Sequence, residues 1–211
     1  MFVKDHMTAN PITITPETPI FQALEIMTRK KVRHLPVLDK TGRVVGLVTE
    51  RGLLQVSPSP ATTLSVYELN YVLAKVTVKE ALVKNPVSVD PELPIEEAAQ
   101  IMHQKKIGSL LVTQDDRLAG ILTQTDVIAS VVRLFGLHKA GTRLVIETRD
   151  RTGLLADLTK ILKDMDINIR SVATMEVEPG HYHLMLRVSL ADAGPLVSEL
   201  EAKGFSVVSV S

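Results

Sequence analysis

The sequence predicts a mixed α/β (α+β) chain: two copies of one β–α–β–β unit, followed by a separate β–α–β–β–α–β plait. Three observations predict this. The first two thirds superimpose on themselves at a shift of 75 residues. After Gly141 the hydrophobic period and the turn signals change, and they match neither copy. Apolar residues fill 45% of the 211 positions, enough for the cores of two or three units.

At that shift Val3–Val37 falls on Val78–Val112, with fifteen of 35 positions identical. Asn10-Pro11 matches Asn85-Pro86, Pro16 matches Pro91, Pro19 matches Pro94, and Lys30-Lys31 matches Lys105-Lys106. Beyond Thr41 the register continues at 74, placing Gly46 on Gly120 and Thr49 on Thr123. Self-similarity at a fixed long period marks a repeated structural unit.

Each copy opens with a short strand, Ile12–Ile14 or Val87–Val89, closed by a proline that cannot continue a ladder. A helix follows, started at Pro19 or Pro94, with Ile20, Ala23, Leu24 and Met27 at helical spacing. Lys30-Lys31 closes it, favourable against the negative helix end. Two strands come next, Leu35–Leu38 and Val44–Val48, joined by a turn at Asp39–Gly42. Their counterparts are Leu110–Val112 and Leu118–Leu122 around Asp115-Asp116. Thr49 and Thr123 are capping residues that start a second helix. Such a unit cannot close a core alone, so the two copies should pack together. The expected boundaries are 1–56 and 77–135 for the copies. Residues 57–76 form a linker: a Pro/Ser loop, then an amphipathic helical stretch at Leu64–Leu73.

The last unit, 142–211, reads as strand Thr142–Thr148, a turn at Asp150–Leu155, and a helix through Met165, apolar at Leu155, Leu158, Ile161, Leu162 and Met165. Strands Ile167–Val172 and His181–Leu190 flank the hairpin turn Glu178-Pro179-Gly180. A helix at Pro195–Lys203, stopped by Gly204, leads into a final strand, Phe205–Val210. That order is a ferredoxin-like plait.

Composition excludes several function classes. Twenty-four cations balance 24 anions, unlike a surface that grips nucleic-acid phosphates or an anionic membrane. Aromatic residues are 3% with no Trp, too few for a base-stacking platform. Without Cys there are no thiol nucleophiles, disulfides or Cys-based metal sites. No apolar run approaches the ~18 residues of a membrane span, and the first residues lack a signal-peptide core. A cytoplasmic chain with neither nucleic-acid nor membrane partners is expected. His181 and His183 share one face of a strand, but without a third ligand they read as surface histidines rather than a metal pair. No nucleotide or hydrolase signature loop is present.

The opening Val-Lys-x-x-Met of Val3–Met7, the Pro-x-x-Pro before each helix and the Gly-x-x-Thr after each third strand resemble a tandem pair of CBS domains. Asp150-Arg151-Thr152-Gly153-Leu154-Leu155 at the first turn of the plait resembles an ACT domain, a small amino-acid-sensing module. The order CBS–CBS–ACT is similar to that of the acetoin-utilization protein B family. The resemblance implies a non-catalytic regulatory homodimer, possessing no cofactor, whose CBS pair binds an adenine nucleotide: AMP, ADP, ATP or S-adenosylmethionine.

The resemblance also implies site residues. Asp126 would accept the ribose hydroxyls, with Thr123 and the amides at a helix start favouring phosphate. Arg33 and His34 of the other copy would reach across the cleft to that phosphate, Arg by its planar fork. The plainer reading is that Thr123 caps a helix and Asp126 offsets its dipole. The first copy has Gly52 where the second has Asp126, so one competent site per pair is expected. In the ACT unit, at a dimer interface, Asp150 would take an amino acid's ammonium and Asn168 its carboxylate, with Gly153 allowing close approach. Otherwise that unit is a dimerisation sheet. Two other readings stay open: an adaptor without nucleotide, and a component of acetoin-catabolism enzymes linked to acetoin utilization.

Overall fold

The computed structural model describes residues 1–57 and 76–211, in two compact units, 1–127 and 128–211. The linker helix expected at Leu64–Leu73 lies outside the described residues.

In the first unit the two copies exchange their leading segments. The N-terminal residues make a short 3-10 turn, Val3–Asp5, and strand β1, Thr8–Ala9. Helix α1 is Ile20–Lys30, strands β2 (His34–Leu38) and β3 (Val44–Thr49) form a hairpin, and α2 is Glu50–Val56. The second copy contributes a 3-10 turn Val78–Ala81, then β4 (Ser88–Val89), α3 (Ile95–Lys105), β5 (Ser109–Gln114), β6 (Arg117–Thr123) and α4 (Gln124–Leu134).

Strand β1 pairs with β6, giving the sheet order β1-β6-β5-β4, and Val3 lies in the second copy's core with Val89, Ile95, Met102 and Leu122. Reciprocally, Val78 lies in the first copy's core with Ile14, Ile20, Met27 and Leu53, and Val83 bridges to Leu47 of β3. Backbone bonds fix both leaders: Val3 donates to Leu93 (2.9 Å) and Val78 to Thr18 (2.9 Å). The repeated glycine of β3 and β6 makes room for this exchange. A Cβ on Gly46 would collide with Leu82, and one on Gly120 with Met7. A smaller cluster, Leu47 with Leu111 and Ile121, joins the two copies.

The expected helices form because Ile20, Ala23 and Met27 recur on one buried face, as do Ile95, Ala98 and Met102. Their ends differ from expectation. Lys31 and Lys106 are not in the last turn but are left-handed C-caps, φ 55° and 53°, a conformation usually left to Gly. Asp115 and Asp116 both have positive φ (51° and 58°), the geometry of a two-residue hairpin turn. In the first copy Ile12–Ile14 does not form a strand; Ile14 makes a single bridge to Val37.

The second unit is the plait: β7 (Thr142–Arg149), α5 (Leu154–Asp164), β8 (Ile169–Glu178), β9 (His181–Val188), α6 (Gly194–Ala202) and β10 (Ser206–Val210). The antiparallel sheet has order β10-β7-β9-β8. Its buried face, with Leu144, Ile146, Leu184, Leu186 and Val188, packs against Leu158 and Leu162 of α5 and Leu196 and Leu200 of α6. Leu154, not Leu155, completes this face; Leu155 is exposed. The helix starts at Leu154, inside the stretch expected as a turn, directly after its N-cap Gly153 at φ 86°.

Candidate functional site

A cleft of about 760 Å³ opens in the first unit, within the ~300–1,000 Å³ range of small-molecule sites. Arg33 and His34 line it from the first copy, Thr123 and Asp126 from the second. The four residues singled out in the sequence therefore share one cavity. Two backbone bonds of the same type set its floor. Glu50 N–H donates to the Arg33 carbonyl (2.9 Å), and Gln124 N–H to the Gly108 carbonyl (3.0 Å). Each ties the start of a strand to the start of the helix that follows its hairpin, so the two half-sites are copies facing one another.

Asp126 is held by the helix start it also stabilises. Its Oδ2 accepts from Thr123 N–H (2.8 Å) and from the Thr123 hydroxyl (2.7 Å), while Asp126 N–H donates to Thr123 Oγ1 (3.4 Å). This is a reciprocal capping box, so the plainer reading of the pair is physically correct. It is also incomplete. A carboxylate has about four acceptor positions, and the capping box uses only those of Oδ2. Oδ1 has no hydrogen-bond partner among the described residues, leaving roughly two positions, the number a ribose diol needs. The Thr123 hydroxyl donates to Asp126 here and so holds the carboxylate in place.

In the first copy Thr49 Oγ1 accepts from Gly52 N–H (3.0 Å), the same cap without a carboxylate. The site is asymmetric at that position.

His34 is half-buried, and its imidazole lies against Gly108, the counterpart of Arg33. A Cβ there would sit 3.3 Å from Nε2. Burial pushes the imidazole's pKa below its ordinary value, and the neighbouring Arg33 charge adds to the shift. His34 is consequently neutral near pH 7, able to donate one N–H, while Arg33 supplies the charge.

The cleft contains further residues, among them Lys31, which the sequence reads only as a charge at the helix end. Lys31 reaches it because its left-handed cap turns the chain there, and Glu50 and Arg51 belong to the first turn of α2. Asn10, Pro11 and Ile12 follow the exchanged leader β1. The signal was present: Asn-Pro recurs at the same shift, and both asparagines have positive φ (48° and 52°).

In the second unit Asp150 and Asn168, expected to serve a dimer interface, are far apart within one chain. Arg149 pairs with His181 and Thr142 with Val188 across β7 and β9, while Ile169 of β8 pairs with Val188. Asp150 thus leaves one end of the sheet and Asn168 enters the other, about 30 Å apart at ~3.3 Å per residue. An amino acid touching both would have to bridge two protomers. Asp150 does not cap α5; that position is Gly153, whose Cβ direction is open. Glu176 and, less strongly, Asp150 raise the Tyr182 phenol's pKa by their charge. Among the described residues no three His, Asp or Glu side chains could hold a metal, which includes His181 and His183. No described helix is long and apolar enough to cross a membrane.

Comparison with known proteins follows this division. Residues 3–59 and 78–133 match the family model of the CBS domain, and residues 142–208 that of the ACT domain. A CBS domain-containing protein of Dictyostelium discoideum is 27% identical over 135 residues, covering 64% of this chain and 93% of that one. An inosine-5'-monophosphate dehydrogenase of Aquifex aeolicus is 27% identical over 123 residues, covering 58% of this chain. The chain spans only 23% of that enzyme's length. Among solved structures, the acetoin utilization protein AcuB of Vibrio cholerae has a TM-score of 0.54 at 28% identity, covering 65% of this chain and 95% of that one. CBSX2 of Arabidopsis thaliana, solved with AMP, has 0.52 at 28% identity, covering 65% and 98%. The CBS domain pair of protein MJ0100, solved with 5'-methylthioadenosine and S-adenosyl-L-methionine, has 0.51 at 26% identity, covering 66% and 98%.

Proposed function

The chain belongs to the CBS domain family and carries a C-terminal ACT domain, and from that premise we propose that it is a non-catalytic sensor of an adenine nucleotide. The observation that carries this reading is the Asp126 carboxylate, fixed through Oδ2 and unpartnered at Oδ1, in a cleft that also holds Arg33 and His34. Asp126 takes the ribose, Arg33 takes phosphate through its fork, and His34 adds an N–H. AMP or S-adenosylmethionine bound by relatives of this fold supports the ligand class. One nucleotide binds per chain, because Gly52 removes the carboxylate from the other copy.

A ligand that spans both copies favours the arrangement in which Asp126 and Arg33 engage it together. Regulation follows from that differential affinity and from nothing else. The protein acts as a homodimer through its ACT unit. In support, β8 is an edge strand of ten residues, whose unpaired backbone groups invite pairing. An amino acid shared between Asp150 of one protomer and Asn168 of its partner, beside Gly153, fits the same assembly. The likeness to AcuB favours acetoin utilization as the setting.

The test is calorimetric titration of AMP, ADP, ATP and S-adenosylmethionine into the full chain and its Asp126→Ala variant, with light scattering for the oligomer. Binding lost in the variant supports the sensor. Silence from all four favours an adaptor, and turnover of acetoin with a nicotinamide cofactor would favour an enzyme component.

A further inference from the structure

The outer face of the plait, away from α5 and α6, holds two features that the nucleotide reading does not use. One is a groove of about 230 Å³ between this face and the segment that follows α4, walled by Phe135, Leu137, Met185 and the stems of Arg143 and Arg187. The other is that Arg143 and Arg187 stand directly opposite each other in the β7–β9 ladder. Like charges in that position repel, a cost that an anion bound between them would offset.

The described side chains supply none. Their four ion pairs, Lys4–Glu92, Lys79–Glu17, Arg151–Asp157 and Lys203–Glu199, include neither arginine. Arg187 Nη2 donates only to the Lys139 carbonyl (3.3 Å), and its Nε is buried with no partner. Ser171, the remaining polar side chain of the groove, already donates to the Phe135 carbonyl (3.1 Å).

We propose that this groove binds a small aliphatic monocarboxylate, its tail among Phe135, Leu137 and Met185 and its carboxylate on the paired guanidiniums of Arg143 and Arg187. The volume, below the ~300 Å³ of ordinary ligand pockets, limits the tail to a few carbons. Arginine's fork suits a carboxylate. No anionic side chain lines the groove, so an ammonium would be buried without a counter-charge. The site therefore selects a plain carboxylate over the amino acid of the same skeleton, a ligand class different from the one Asp150 and Asn168 would take.

The experiment is titration of 4-methylpentanoate, leucine and 4-methylpentan-1-ol into the full chain, followed by calorimetry or chemical-shift changes. The acid should bind, and leucine and the alcohol should bind at least about tenfold more weakly, a loss expected when one charge partner is missing or mismatched. Arg143→Gln should lose a similar factor. Leu137→Glu, at an exposed position that tolerates substitution, should also lose it by repelling the acid. Arg33→Ala should bind the acid as wild type does, which separates this groove from the nucleotide cleft. The proposal is overturned by any of four results: no binding of the acid up to about 10 mM, leucine or the alcohol binding as tightly, indifference to both groove variants, or loss in Arg33→Ala.

Discussion

The His34 imidazole of one copy rests against Gly108 of the other, with Nε2 only 3.3 Å from where a Cβ on that glycine would be. Gly108 occupies the position that Arg33 holds in the first copy. The duplication has thus been made unequal at one spot: one copy offers a cation and an imidazole, and the other withdraws its side chain to admit them. This pairing and the Gly52/Asp126 difference give the cleft its polarity.

Substituting Gly108 should therefore act on binding before it acts on folding. Gly108→Ala requires His34 to yield by a few tenths of an ångström, and Gly108→Val by more. We expect stability losses within about 1 kcal/mol for the alanine variant and a several-fold loss of nucleotide affinity, larger for valine, read by calorimetry alongside thermal melts. Unchanged affinity in both variants would remove His34 from the site.

The pH dependence follows from the direction of the His34 shift. Its folded pKa lies below the ordinary 6.5 because of burial and then Arg33, so the unfolded chain binds the proton first. The contribution to stability is present above about 6.5 and is lost as pH falls through the folded value. His34→Gln should flatten the fall in Tm between neutral and acid pH relative to wild type. Nucleotide phosphate opposes the shift, so binding near pH 6.5 should take up protons, seen as a dependence of binding enthalpy on buffer ionisation. An identical Tm slope in both proteins would contradict this.

Thr123→Val keeps the shape of the side chain but removes the capping box. Loss of an N-cap costs about 1 kcal/mol, within a range of ~0.5–2, and frees Asp126 to move. A melt should show that destabilisation, together with a weaker but surviving affinity for the nucleotide, whereas Asp126→Ala should abolish binding. Equal effects of the two variants on binding would make Thr123 a direct ligand.

The exchanged leaders predict coupled stability. Gly46→Ala and Gly120→Ala place a Cβ against Leu82 and Met7 respectively, and overpacking of this kind costs about 1–3 kcal/mol. Each should destabilise the whole CBS pair in a single transition during denaturant unfolding. Two separate transitions, one per copy, would show that the leaders do not tie the copies together.

Much of this was legible in the sequence. The repeat register aligned Arg33 with Gly108 and Thr49 with Thr123, and the resemblance to a CBS pair then singled out Thr123, Asp126, Arg33 and His34 as residues of one site. The plait followed from strand alternation, as with Leu184, Leu186 and Val188 on the buried face. Pattern could not show that Val3 belongs to the second copy's core and Val78 to the first. An exchange of leaders leaves every local hydrophobic period unchanged, and only Gly46 and Gly120 hinted at a close approach. Nor could it show that Lys31 turns left-handed, since lysine normally avoids that region, or that Asp150 and Asn168 enter opposite ends of one sheet, which is a matter of register rather than composition.

The most direct test of the central claim is the stoichiometry of nucleotide binding, measured by calorimetry for wild type and Asp126→Ala at known chain concentration. One nucleotide per chain in the wild type and none in the variant is the expected result. Two per chain, or an unaltered single site after Asp126 is removed, would contradict the asymmetric cleft.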